Sequence, residues 1–331
     1  MKQIHHIYVC LLLLAAVAMQ SCIQDDLSGC MTDKQIYFDY DLTLSQKGGI
    51  NPEDITRLNL FVFNEDGLFV KEIVDEAPRI SPDYVMTIGG LKTGLYRFVA
   101  WGNLKDQYAL SAGLVPGKTK FDDLRVLLQS INNNREVTEE LKPLFFATHT
   151  EDLFTIQGPK SQRIHLNLIK DTYRVNVTVV GMDATLAGKH DYKINIEDDN
   201  GIYTLNNDFA FCEKFTYTQP CRVEDNKESE GLKDLKSSLT VLRLTEERKP
   251  RSRAEEEPQP FLRLVNEQTK TVVLEDGLVS LVKEANQLGA KINFATTYEF
   301  DITYELSQES TLVVYIYING WRLIRQPVPL V

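Results

Sequence analysis

The chain has 331 residues, 43% hydrophobic and 25% charged, enough apolar material for one large core or two medium ones. Its formal net charge is −11; removing residues 1–21 takes only Lys2 from the count and leaves 35 basic against 47 acidic residues, −12. That acidic balance, with no basic stripe interleaved with aromatics, argues against nucleic acid and against electrostatic adhesion to anionic lipid.

Lys2, His5 and His6 precede IYVCLLLLAAVAM, residues 7–19. A short basic start and an apolar run of this length form a signal-peptide pattern. The run is short of the roughly 20 apolar residues a spanning helix needs. It ends in Met19-Gln20-Ser21-Cys22, which resembles a bacterial lipobox, where the cysteine is acylated and becomes the new N-terminus. Residues 1–21 are therefore expected as a lipoprotein signal peptide, Cys22 as the lipidation site and 22–34 as a linker. Lipid there makes an effectively permanent anchor, because each buried methylene contributes about 0.8 kcal/mol. Asp25 and Asp26 resemble the acidic tag that, in Bacteroidetes lipoproteins, accompanies export to the outer cell surface.

From residue 35 the dominant period is two. QIYFDYDLTL alternates as a half-buried antiparallel strand, and RLNLFVFNEDGLFVKEIV forms a hairpin about Asp66-Gly67, where the turn needs positive φ. YVMTIGG and GLYRFVAWGN add strands. FDDLRVLLQSI places Phe121, Leu124, Leu127, Leu128 and Ile131 at helical spacing, and a short helix is predicted there. LFFATHT and QRIHLNLI return to strand.

A second unit is expected from residue 161. TYRVNVTVVGM, KINIEDDNGIYTL, SLTVLRLT, FLRLV and KTVVL are its predicted strands. VSLVKEANQL is a predicted short helix, YEFDITYEL is another strand, and TLVVYIYINGWRLI closes as a hairpin at Asn319-Gly320. EERKPRSRAEEEPQP, residues 246–260, lacks apolar residues to order it and is expected as a mobile, protease-sensitive loop. The reading is thus mainly β, with two tandem β-sandwich domains over 35–160 and 161–331, each with a minor helix.

Chemistry is sparse. Beyond residue 21 the histidines are His149, His165 and His190, none at metal-ligand spacing from another histidine or a cysteine. Asp198-Asp199-Asn200-Gly201 lacks the glutamate of a calcium loop and reads as a β-turn. No nucleophile motif or phosphate-cradling loop occurs. No enzymatic activity, metal or cofactor is expected. Cys212 and Cys221 lie nine residues apart and are either a disulfide or buried thiols. Trp101 and Trp321 adjoin apolar strands and lean towards the core.

Several blocks together resemble the FimB-type fimbrial anchor lipoproteins of the Bacteroides and Porphyromonas group: Cys22 with Cys30, YFDYDL, RLNLFVFNEDGLFV, GLYRFVAWGNL, PLFFATHTEDL, HLNLIKDTYRVNVTVVGM and YIYINGWRLI. The resemblance implies two transthyretin-like β-sandwich domains and a role at the base of a surface fimbria. It implies an outer-membrane, lipid-anchored, surface-exposed protein that limits fimbrial length by ending donor-strand polymerisation. Its partners would be shaft pilins, joined by β-strand exchange. Shaft pilins of that family lose their first strand to an arginine-specific protease; the anchor keeps its own. The alternative is a surface lipoprotein adhesin or tip subunit that binds glycan or host protein. YINGWRLIRQPVPLV is the candidate assembly interface, against an ordinary edge strand blunted by Pro327 and Pro329.

Overall fold

The computed structural model describes residues 33–41, 48–158, 161–245, 259–307, 312–323 and 328–329. Cys22, Asp25, Asp26, Cys30 and residues 246–258 of the expected loop lie outside the described residues. The first part of the chain forms β1 (Lys34–Asp39), β2 (Leu58–Asn64), β3 (Phe69–Asp75), β4 (Val85–Ile88), β5 (Gly94–Gly102), β6 (Tyr108–Leu110), β7 (Arg125–Leu128), β8 (Glu136–Val137), β9 (Phe145–Thr148), β10 (Phe154–Ile156) and β11 (Arg163–Lys170). The rest forms β12 (Thr172–Asp183), α1 (Ala184–Lys189), β13 (Tyr192–Asp198), β14 (Ile202–Thr204), β15 (Phe215–Pro220), β16 (Arg222–Asp225), β17 (Leu232–Leu242), β18 (Phe261–Asn266), β19 (Thr271–Gly277), α2 (Leu278–Gln287), β20 (Glu299–Leu306), β21 (Leu312–Ile318), β22 (Trp321–Arg322) and β23 (Val328–Pro329).

The architecture is mainly β. The first sheet runs β3-β2-β5-β9-β11-β1-β4, with β10 beside β5. Its central strands are apolar on both faces because both are buried. Leu58, Leu60, Val62, Phe98 and Ala100 pack with Ile36, Phe38, Ile164 and Leu166 in one core. Phe61, Phe63, Val99 and Trp101 point the other way, into a core shared with the later strands. The Asp66-Gly67 hairpin forms as the sequence predicts, with Gly67 at φ 72.

A second sheet runs β16-β17-β12-β20-β21-β22, with β23 beside β21, and a third runs β19-β18-β13-β15-β8. A small sheet, β14-β7-β6, joins the two parts of the chain, as does β8 beside β15. The expected boundary at residues 160 and 161 falls between β10 and β11, which lie in one sheet. The chain then passes from β11 to β12 through Asp171 alone.

The helix predicted at Phe121–Ile131 is not formed, so the first part of the chain has no α-helix among the described residues. A 3-10 turn at Phe121–Asp123 gives way to β7, in which Val126 and Leu128 face inward behind Leu124. Apolar residues at 121, 124 and 128 suit a helix, but those at 124, 126 and 128 equally suit a strand. Pairing with β6 and β14 decides it. The later helix forms where predicted: α2 buries Leu278, Leu281, Val282 and Ala285 on one face. Gln259, at the end of the expected loop, accepts from the Ser280 amide and hydroxyl with its Oε1 and so fixes the start of α2. No described helix is long and apolar enough to cross a membrane.

Candidate assembly and tethering site

The first strand stands in the interior of its sheet. β1 is parallel to β11 on one side and antiparallel to β4 on the other. Its register sets Ile36 opposite Ile164, Tyr37 opposite His165 and Phe38 opposite Leu166. The inward pairs are buried, at 5% exposure or less. On the outward face the Tyr37 and His165 rings stack at 5.1 Å and 13°. His165 Nδ1 lies 3.0 Å from an Asp39 carboxylate oxygen, and the Arg163 guanidinium lies 5.7 Å from the Tyr37 ring centre. His165 thus knits β1 to β11 at the surface. Lys34, fully buried, donates from Nζ to the Gly158 carbonyl at 3.2 Å.

The closing strands form the opposite landmark. Asn319 and Gly320 take φ 48 and 80, the doubly positive turn that a two-residue hairpin requires. Asn319 also ties the turn to β20: its Oδ1 accepts from the Asp301 amide at 2.7 Å. The outer edge of β21 is paired at both ends, by β22 at Tyr317–Ile318 and by β23 at Leu312–Val313. Pro329 lies opposite Leu312 in the short edge strand β23, the kind of position to which proline is confined in sheets. Trp101 is fully buried, as expected, but Trp321, opposite Ile318 in the hairpin, is 41% exposed.

A cleft of about 560 Å³ opens between β12 and β17 on one side and the end of β15 on the other. Four of its charged groups are paired, Arg174 with Glu140 at 2.6 Å and Lys236 with Glu224 at 2.6 Å, while Glu139 and Arg222 also line it. Asn176 in its wall donates to Glu299 and Asp301 and accepts from Ser238 Oγ.

At the join between β11 and β12 Asp171 is fully buried, and neither carboxylate oxygen has a hydrogen-bond partner. Arg243 Nε stands 3.8 Å away. Burial raises the Asp171 carboxyl to about 6, with Arg243 and, after it, the nearby Asn207 side chain only partly opposing it. No sequence pattern marks this pair.

No disulfide joins Cys212 to Cys221. β15 runs extended between them, and six residues at about 3.3 Å each hold them far beyond the roughly 7 Å Cα limit of a disulfide. Cys212 Sγ donates to the Glu213 carbonyl, and burial pushes the Cys221 thiol up to about 12.

A family described as fimbrillin-A associated anchor proteins Mfa1 and Mfa2 matches residues 27–326. The minor fimbrium anchoring subunit Mfa2 of Porphyromonas gingivalis is 25% identical over 308 residues, which cover 90% of this chain and 87% of that protein. The solved structure of the P. gingivalis fimbrial anchor protein Mfa2 superposes with a TM-score of 0.68 at 22% identity, covering 90% of this chain and 100% of that one. A candidate polysaccharide-binding protein of Bacteroides thetaiotaomicron has the same fold, with a TM-score of 0.67 at 20% identity over 89% of this chain and 98% of its own.

Proposed function

The chain belongs to the Mfa1 and Mfa2 family of fimbrillin-A associated anchor proteins, and from that premise we propose that it seats the base of a fimbria on the outer membrane and ends its growth there. Lipid on Cys22 is the tether, and Asp25 and Asp26 direct the protein to the outer surface. The two halves act as transthyretin-like sandwiches, and shaft pilins join by strand exchange. The observation that carries this reading is the position of β1. A strand only twelve residues beyond Cys22 is hydrogen-bonded on both sides within a sheet. A first strand held in this way keeps its own groove filled, which suits a terminal subunit rather than a shaft subunit.

The strand-exchange contact is assigned to the closing segment. There the chain already pairs along the edge of β21, and backbone hydrogen bonds would supply affinity. Cys22→Ala should shed fimbriae into the medium; fimbriae that remain cell-bound at normal length would overturn the tether. Deleting residues 326–331 should lower pilin retention while the chain stays on the cell, and unchanged retention would return that segment to a plain edge. Asp25→Asn with Asp26→Asn should remove the protein from reach of an external protease.

The 560 Å³ cleft, lined by polar side chains such as Thr178, Thr218, Gln219 and Ser237, supports a second reading, a surface lipoprotein adhesin or tip subunit that binds glycan or host protein. A pull-down that recovers glycan or host protein without pilin would promote it.

A further inference from the structure

We propose that the seam between β1 and β11 is a mechanical clamp, loaded in shear when the fimbria is pulled away from the cell. The inference rests on the tether reading for the direction of load, and on the topology for everything else.

The two strands are parallel, in register from Gln35–Arg163 to Asp39–Asn167. A tether at Cys22 loads β1 from its N-terminal end. β11 leads through Asp171 into β12, which lies between β17 and β20 in the second sheet. A load carried by that sheet therefore draws on β11 from its C-terminal end. Parallel strands drawn from opposite ends slide along their shared axis, so every ladder bond carries load at once. Strands drawn from the same end would open one bond at a time. β4, on the other side of β1, is likewise stressed along the strand axis.

The side chains reinforce the same seam. Beneath it, Ile36 on Ile164 and Phe38 on Leu166 would have to drag through a close-packed core. Above it, the Tyr37–His165 stack, the His165–Asp39 contact and Arg163 over Tyr37 all join β1 to β11, and each must break if the register slips. Lys34, covered from solvent, donates to the Gly158 carbonyl, and that bond too must break before β1 can leave. Lys34 is also the only Lys or Arg between Cys22 and the end of β1, so a trypsin-like enzyme finds no exposed basic residue in β1 at which to cut the clamp.

The test is single-molecule force spectroscopy on the chain from residue 22, with handles at its N-terminus and at Val331. The same chain with its first handle moved to Asp41 leaves β1 outside the load path. A high-force first rupture is expected in the first geometry and its loss in the second. Tyr37→Pro removes a ladder donor from mid-strand and should abolish the high-force event. If that variant does not fold, Tyr37→Ala with His165→Ala strips only the outward pair and should lower the rupture force. Equal forces in the two geometries, or a peak unmoved by either variant, would overturn the clamp. The instrument supplies the load, so these outcomes are independent of acylation. A strong clamp in a chain that carries no lipid in cells would overturn the tether and leave the clamp standing.

Discussion

The indole Nε1 of Trp101 donates to the Leu205 carbonyl at 3.1 Å, joining β5 of the first sheet to the turn after β14, 104 residues later. The ring packs between Phe146 of its own sheet and Tyr203 of the later part, with centroids at 5.1 and 6.1 Å. The two parts of the chain thus share one core, and they should unfold together. Trp101→Ala should cost about 3–5 kcal/mol as a cavity in that core. Trp101→Phe keeps most of the volume but strands the Leu205 carbonyl, at about 1–3 kcal/mol. Urea titration followed by fluorescence and by circular dichroism checks both. Two separate transitions in the unmodified chain would show that the shared core does not couple the parts.

Gly320 isolates a backbone effect. A Cβ there would meet nothing within 4 Å, yet its φ is 80. Gly320→Ala should therefore cost about 1 kcal/mol from the left-handed conformation alone. A lower urea midpoint with an unchanged slope is the expected result.

Cys221 should be nearly inert in the folded chain. Raising its thiol to about 12 cuts the thiolate fraction at pH 8 roughly a thousandfold. Iodoacetamide should label it far more slowly in native buffer than in urea. Peptide mapping without reductant should find no peptide linking Cys212 to Cys221.

What the sequence made legible is what local chemistry encodes. Asn64-Glu65-Asp66-Gly67 and Asn319-Gly320 announce hairpins because few residues tolerate their φ values, and both form. The α2 helix was legible because Leu278, Leu281, Val282 and Ala285 admit only one period. At Phe121–Ile131 two periods competed, and the winner was set by β6 and β14, one of them about 75 residues away. Trp321 followed an apolar strand, but a two-residue strand at an edge cannot bury an indole fully. The β1–β11 seam was invisible for the same reason: nothing near Asp39 signals His165, 126 residues later. Cys22, Asp25 and Asp26 are the reverse case, read from the sequence alone.

Asp171 should make stability depend on pH with a sign opposite to that of an ordinary paired carboxylate. Its carboxyl is held at about 6 in the folded chain, above its ordinary 3.8. Between those values the folded state binds more protons than the unfolded state, so this group's contribution falls as pH rises from about 4 to about 6 and is flat above. The full span corresponds to about 3 kcal/mol. Asp171→Asn should remove that slope and raise stability at neutral pH, because no buried charge remains to be desolvated. The opposing effect is the loss of Arg243's partner at 3.8 Å, but Arg243 is 23% exposed and water replaces part of that contact. Urea midpoints measured from pH 4 to 8 for both chains settle the balance. If the Asn variant keeps the slope, the titrating group lies elsewhere. If the slope vanishes while neutral stability falls, the ion pair with Arg243 outweighs the cost of burying the charge.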